Sequence, residues 1–211
     1  MRPKTIILNS LILVSLLAGA ATVLAADPEA GEALYGTCAA CHGPKAEGAV
    51  AMKAPALAGQ SAAYLARQLH NFRNGVRGTA DGDTPGAQMA AMAKTLADDD
   101  AVANVAAYIA SLPAVTPAAT VEGDAVAGNK QYQSKCGACH GSSGQGNDAL
   151  NAPRLVGLGD TYLIRQFQNF KQGIRGSHPD DKYGRQMKMM AATLNDQQLV
   201  DVAAFLNSKS E

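Results

Sequence analysis

Cys38-Ala39-Ala40-Cys41-His42 recurs as Cys136-Gly137-Ala138-Cys139-His140, an offset of 98 residues. The same offset relates Pro55 to Pro153, Leu57 to Leu155, Tyr64-Leu65 to Tyr162-Leu163, Arg67-Gln68 to Arg165-Gln166, Asn71-Phe72 to Asn169-Phe170, Arg77-Gly78 to Arg175-Gly176 and Gln88-Met89 to Gln186-Met187. Before the first cysteine and after Asp98 it becomes 97, as in Tyr35/Tyr132 and Val105-Ala106-Ala107/Val202-Ala203-Ala204. A register held this long is the mark of a duplicated domain and not of a repeated short motif. The join falls in the uncharged, two-proline stretch Pro113-Ala114-Val115-Thr116-Pro117, which reads as a short stiff linker. The expected divisions are a leader at 1–26, a first domain at 27–112, a linker at 113–122 and a second domain at 123–211.

The apolar spacing within each unit is helical. Leu65, Leu69, Phe72 and Val76 fall on one helix face, matched by Leu163, Phe167, Phe170 and Ile174. Val102, Val105, Ala106 and Ile109 are matched in the same way by Leu199, Val202, Ala203 and Leu206. No alternating strand pattern of useful length interrupts them, so the fold class is all-α. Domains this small, with no tryptophan and few aromatics, need a staple or a bound group to complete a core.

Met1-Arg2-Pro3-Lys4 followed by an apolar run from Ile6 to Leu17 and small residues to Ala26 has the layout of a secretory signal peptide, which places the mature chain in the periplasm. The competing reading is a retained anchor, since Ile6 to Ala26 spans 21 mostly apolar residues, close to the ~20 a bilayer requires; loose membrane association is a separate alternative. Residues 27–112 hold six Lys/Arg against nine Asp/Glu, a net of −3, and residues 113–211 hold ten against nine, a net of +1. Neither value suggests a nucleic-acid partner, for which a clustered basic face would be expected.

All four cysteines lie in the two motifs. Cys-x-x-Cys-His is the attachment signature of c-type haem, because residues at i, i+3 and i+4 share one helix face: two thiols can reach two vinyl groups while the imidazole reaches iron. Cys38, Cys41, Cys136 and Cys139 are therefore expected to carry two covalent haems, with His42 and His140 as proximal iron ligands. A thioredoxin-like pair would need a βαβ setting, a zinc site would need four convergent ligands, and simple disulfides would leave the repeated histidine unexplained.

The occupant of iron's sixth position decides between electron transfer and catalysis. A ligand used by both domains should occur in both. His70 aligns with Gln168, His178 with Ala80 and Met52 with Leu150, which removes all three. Met89/Met187 and Met92/Met190 survive, placed between the middle and last helices.

The order Cys-x-x-Cys-His, Pro-x-Leu-x-Gly, Tyr-Leu-x-x-Gln, Asn-Phe, Gly-x-Arg, methionine and terminal helix resembles the class I cytochrome c fold. Its doubling resembles the di-haem cytochrome c4 family across the mature chain. In that family the distal methionine sits seven residues before the leucine that leads into the last helix, which selects Met89 and Met187. The resemblance also implies that the Pro55 and Pro153 carbonyls orient the proximal imidazoles. Arg77 and Arg175 are candidates for pairing with haem propionates, or else are solvated loop arginines. The tyrosines and glutamines at 64, 68, 162 and 166 are read as packing a helix and the domain interface, and the Asn-Phe pairs as core.

The expectation is thus a periplasmic electron carrier that takes electrons from a bc-type complex and passes them to a terminal oxidase. A di-haem peroxidase would require one iron to lose its distal ligand, which the matched methionines argue against. A cytochrome subunit of a larger oxidoreductase is the third reading.

Overall fold

A computed structural model describes residues 25–209. The leader expected at 1–26 therefore lies almost entirely outside the described residues. The rest forms two helical units of the same design, with no strand among the described residues beyond two isolated bridges. The first unit contains α1 (Pro28–His42), α2 (Ala62–Arg73), α3 (Thr84–Ala93) and α4 (Asp99–Ser111). The second contains α5 (Ala125–Lys135), α6 (Gly137–His140), α7 (Asp160–Lys171), α8 (Lys182–Ala191) and α9 (Asp196–Asn207). The all-α expectation holds.

The helix starts follow local chemistry. Asp27, Ser61, Asp83, Asp98, Asp124, Asp181 and Asn195 each accept a hydrogen bond from a backbone N–H in the first turn of the helix they precede. The helices α3 and α8 are additions to the expected elements, since the Gly-, Asp- and Pro-rich approach to the methionines reads as loop. Asp83 caps α3 and Pro85 sits in its first turn, where a missing N–H costs nothing.

The first and last helices of each unit cross at close range. At the crossing of α1 and α4, a Cβ on Gly31 would come within 2.0 Å of the Asn104 carbonyl oxygen; at that of α5 and α9, one on Gly128 would meet the Asp201 carbonyl oxygen at 1.9 Å. Only glycine permits this approach. Around the first crossing, Tyr35, Leu65, Leu96, Val102, Val105, Ala106 and Ile109 form the core. The second core is built from Tyr132, Val156, Leu194, Val202, Phe205 and Leu206.

The linker is tied down at its far end by Asp160. This buried carboxylate accepts hydrogen bonds from the Thr120 hydroxyl at 2.5 Å, from the Thr120 and Val121 N–H groups and from the Asn207 amide. Burial opposes its ionisation, but these bonds together with the Thr161 N–H hold its carboxyl below the usual range.

Candidate functional site

Each Cys-x-x-Cys-His motif ends a helix and leads into a tightly closed loop. In the first domain all five residues belong to α1. In the second the helix is interrupted at Cys136, whose φ of −122° separates α5 from α6, yet the Cys139 and His140 N–H groups still donate to the Cys136 carbonyl. The turn that aligns thiols and imidazole is thus present in both. No disulfide joins any of the four cysteines; Cys41 and Cys139 are exposed, and Cys38 and Cys136 are partly covered. Burial pushes the Cys136 thiol up to about 11 and raises that of Cys38.

His42 and His140 are each only 5% exposed. Their Nδ1 atoms lie 2.9 Å from the carbonyl oxygens of Pro55 and Pro153 respectively. A carbonyl can only accept, so Nδ1 carries the proton and Nε2 presents its lone pair, the form needed to ligate iron. Burial lowers the pKa of both rings, outweighing the backbone bond that raises it, and so favours the neutral imidazole.

The loop that sets this contact is pinned at several points. Gly48 and Gly146 N–H groups donate to the His42 and His140 carbonyls at 2.7 Å. Antiparallel bridges Ala49–Ala54 and Asn147–Ala152 close the loops immediately before the two prolines. From the preceding helices, the Tyr35 and Tyr132 hydroxyls donate to the Gly43 and Gly141 carbonyls at 2.7 Å. Sequence reasoning used those tyrosines only as repeat markers; their roles depend on a contact across eight and nine residues that no periodicity reveals.

Met89 and Met187 lie on α3 and α8 and are partly buried; Met89 packs with Phe72, Ala90 and Ala93. Met92 and Met190, one turn further on, are 36% and 37% exposed. Met52 is more exposed still, and the side chains of His70 and His178 face Asp99 at 3.7 Å and Asp180 at 3.8 Å.

The two arginines of the Gly-x-Arg motifs are not solvated loop residues. Arg175 is buried, and its guanidinium donates to the Gln166 amide oxygen at 3.0 Å and, across the domain boundary, to the Gln68 amide oxygen at 2.9 Å and the Tyr64 hydroxyl at 3.2 Å. Arg77 mirrors it, reaching Gln68 and Gln166 at 2.7 Å and the Tyr162 hydroxyl at 3.2 Å. Each guanidinium also lies 4.5 Å from the ring of its own domain's buried Phe72 or Phe170. A second reciprocal pair flanks this network: Arg67 donates to the Asn151 carbonyl at 2.8 Å and Arg165 to the Lys53 carbonyl at 2.7 Å. Lys53 and Asn151 adopt left-handed φ values of 56° and 55° at the ends of matching 3-10 turns. The domains therefore meet about a local pseudo-twofold arrangement.

These residues suit the implied cofactor. Two cysteines and a neutral, oriented imidazole stand together in each domain, and the Nε of buried Arg175 has no hydrogen-bond partner among the described residues. A haem would supply the one-electron couple of its iron. The chain's own part would be to anchor it through the cysteines and to ligate it through the imidazole.

Two segments, residues 28–113 and 125–210, each match the family described as cytochrome c. Cytochrome c4 of Pseudomonas aeruginosa is 32% identical over 207 residues, covering 95% of this chain and 96% of that one. The thiosulfate dehydrogenase electron acceptor of Stutzerimonas stutzeri is 33% identical, covering 80% of this chain and 76% of its own. Among solved structures, reduced cytochrome c4 from Pseudomonas stutzeri superposes with a TM-score of 0.68 at 27% identity, covering 87% of this chain and 98% of the other.

Proposed function

The chain belongs to the cytochrome c family as a tandem, di-haem, cytochrome c4-like electron carrier, and from that premise we propose that His42 with Met89 and His140 with Met187 are the axial pairs of its two irons. Cys38 and Cys41 hold one haem and Cys136 and Cys139 the other. The observation that carries the proximal half is the His Nδ1 to Pro carbonyl contact, made identically in both domains. The distal half rests on the partial burial of Met89 and Met187 against the exposure of Met92 and Met190. Thioether ligation raises the potential, which suits a carrier at the oxidising end of a respiratory chain.

Arg77, partly buried, and Arg175, buried, stand between the two domains, and neither forms an ion pair with a carboxylate among the described residues. A haem propionate near the unpartnered Arg175 Nε would balance that charge. The protein works in the periplasm, between a bc-type complex and a terminal oxidase. Likeness to two thiosulfate dehydrogenase electron acceptors favours a second reading, in which an oxidoreductase is the donor.

The test is separate replacement of Met89 and Met92 by alanine. Met89→Ala should abolish the methionine-to-iron charge-transfer band of the first domain and lower its potential, whereas Met92→Ala should leave both intact. The opposite pattern would overturn the ligand assignment.

A further inference from the structure

The duplication supplies an internal control for the surface of the molecule. Helices α3 and α8 occupy equivalent places and keep the same inward residues: Gly86/Gly184, Met89/Met187 and Ala93/Ala191. Their outward faces have diverged. Thr84, Ala87 and Ala91 of α3 correspond to Lys182, Arg185 and Met189 of α8, and Ala90, buried in α3, is replaced by the exposed Lys188. The first helix carries no charged residue and the second carries three cations.

Helical spacing groups Lys182, Arg185 and Met189 at i, i+3 and i+7 on one outward face, with Lys188 beside them. All four are exposed, and Met189 is 69% exposed, an unusual place for a large apolar side chain. Arg185 donates to the Pro179 carbonyl and Lys188 to the Ser177 hydroxyl at 2.7 Å, while Lys182 lies 5.6 Å from the Tyr183 ring. None of the ion pairs among the described residues involves these three cations. The two acidic neighbours are otherwise engaged: Asp181 caps the helix and Asp180 faces His178. Packing does not ask for Lys182, Arg185 and Met189, because Thr84, Ala87 and Ala91 stand exposed at their places on α3.

We propose that the outward face of α8 docks an acidic redox protein, which exchanges electrons with the second haem through the helix that bears Met187. The proposal rests on the electron-carrier reading above. Cations around an apolar centre form the arrangement in which charge steers encounter and a flexible methionine adapts to the partner. The neutral face of α3 leaves the first haem to a partner of different surface chemistry, so that the two domains face different proteins.

The test uses the full di-haem protein and a reduced acidic [2Fe–2S] ferredoxin as one-electron donor, with stopped-flow rates measured against ionic strength. In each turnover the ferredoxin is oxidised by one electron and one haem iron is reduced. The Lys182→Gln/Lys188→Gln variant should react at least about fivefold more slowly than wild type at low salt, and the two should converge near ~0.5 M salt, where surface charges are screened. The control Lys130→Gln/Lys209→Gln removes the same charge elsewhere in that domain and should react like wild type. Equal rates for wild type and the α8 variant, or equal slowing in the control, would overturn the proposal. So would loss of binding to phosphatidylglycerol vesicles in the α8 variant with an unchanged ferredoxin rate, which would assign the face to a membrane. Unchanged haem absorption and melting temperature show that the variants are folded. A wild-type protein that holds both haems yet never accepts an electron would instead refute the carrier reading.

Discussion

Replacing Arg175 by methionine tests how the two domains are held together. The guanidinium makes three side-chain hydrogen bonds, two of them across the domain boundary, and lies over the Phe170 ring. Counted singly, charge-assisted bonds of about 1.5–3 kcal/mol each would suggest a loss of roughly 5–9 kcal/mol. Two corrections reduce it. Methionine removes the cost of burying a cation, which is several kcal/mol. Gln68 and Gln166 also keep their bonds from Arg77, so only the Tyr64 hydroxyl loses a partner. We expect a net destabilisation of roughly 2–3 kcal/mol. Removing Arg77 as well strips both glutamines of their donors, so the double variant should lose clearly more than the sum of the singles. Thermal unfolding of the holoprotein, followed in the haem absorption and the far-ultraviolet circular dichroism, measures both effects. A single-variant loss under about 1 kcal/mol together with additive behaviour would refute the reasoning, because it would mean the network carries no shared energy.

Other expectations follow from single contacts. Gly128→Ala pushes a methyl group into the Asp201 carbonyl and should cost about 3 kcal/mol or more, at the upper end for overpacking, with the loss seen in chemical unfolding of the second domain. Asp160→Asn should cost about 1–3 kcal/mol at neutral pH, measured by denaturant titration. Because the folded carboxyl titrates below its unfolded value, the stability it contributes is present above about pH 4 and is lost as the pH falls through the folded value. The gap between wild type and Asp160→Asn should therefore close in acid, and a gap that widened would contradict the assignment.

The repeat, the helices named by periodicity and the haem-bearing motifs were legible because each depends on spacing within a few residues. Helix α3 was less so. Its signals, Asp83 as cap and Pro85 in the first turn, are also loop signals, and its alanine-rich face gives little apolar contrast. The break at Cys136 is not signalled by the cysteine, since Cys38 at the same place continues its helix; it falls beside Gly137, a poor helix former where the first domain has Ala39. The roles of Arg77 and Arg175 lay beyond the sequence for another reason. Two partners of each are residues of the other domain, 85 to 111 positions away, and a guanidinium held in an interface looks the same in a sequence as a solvated one. Duplication compensated in part: it removed His70, His178 and Met52 from the ligand candidates by alignment alone.

A haem count on the purified chain combined with low-temperature magnetic and optical spectroscopy reaches the central claim most directly. Two covalent haems per chain, both low-spin and each with a methionine-to-iron charge-transfer band, are what the paired His42–Met89 and His140–Met187 sites predict. One haem per chain, or a high-spin iron lacking that band in either domain, would contradict them.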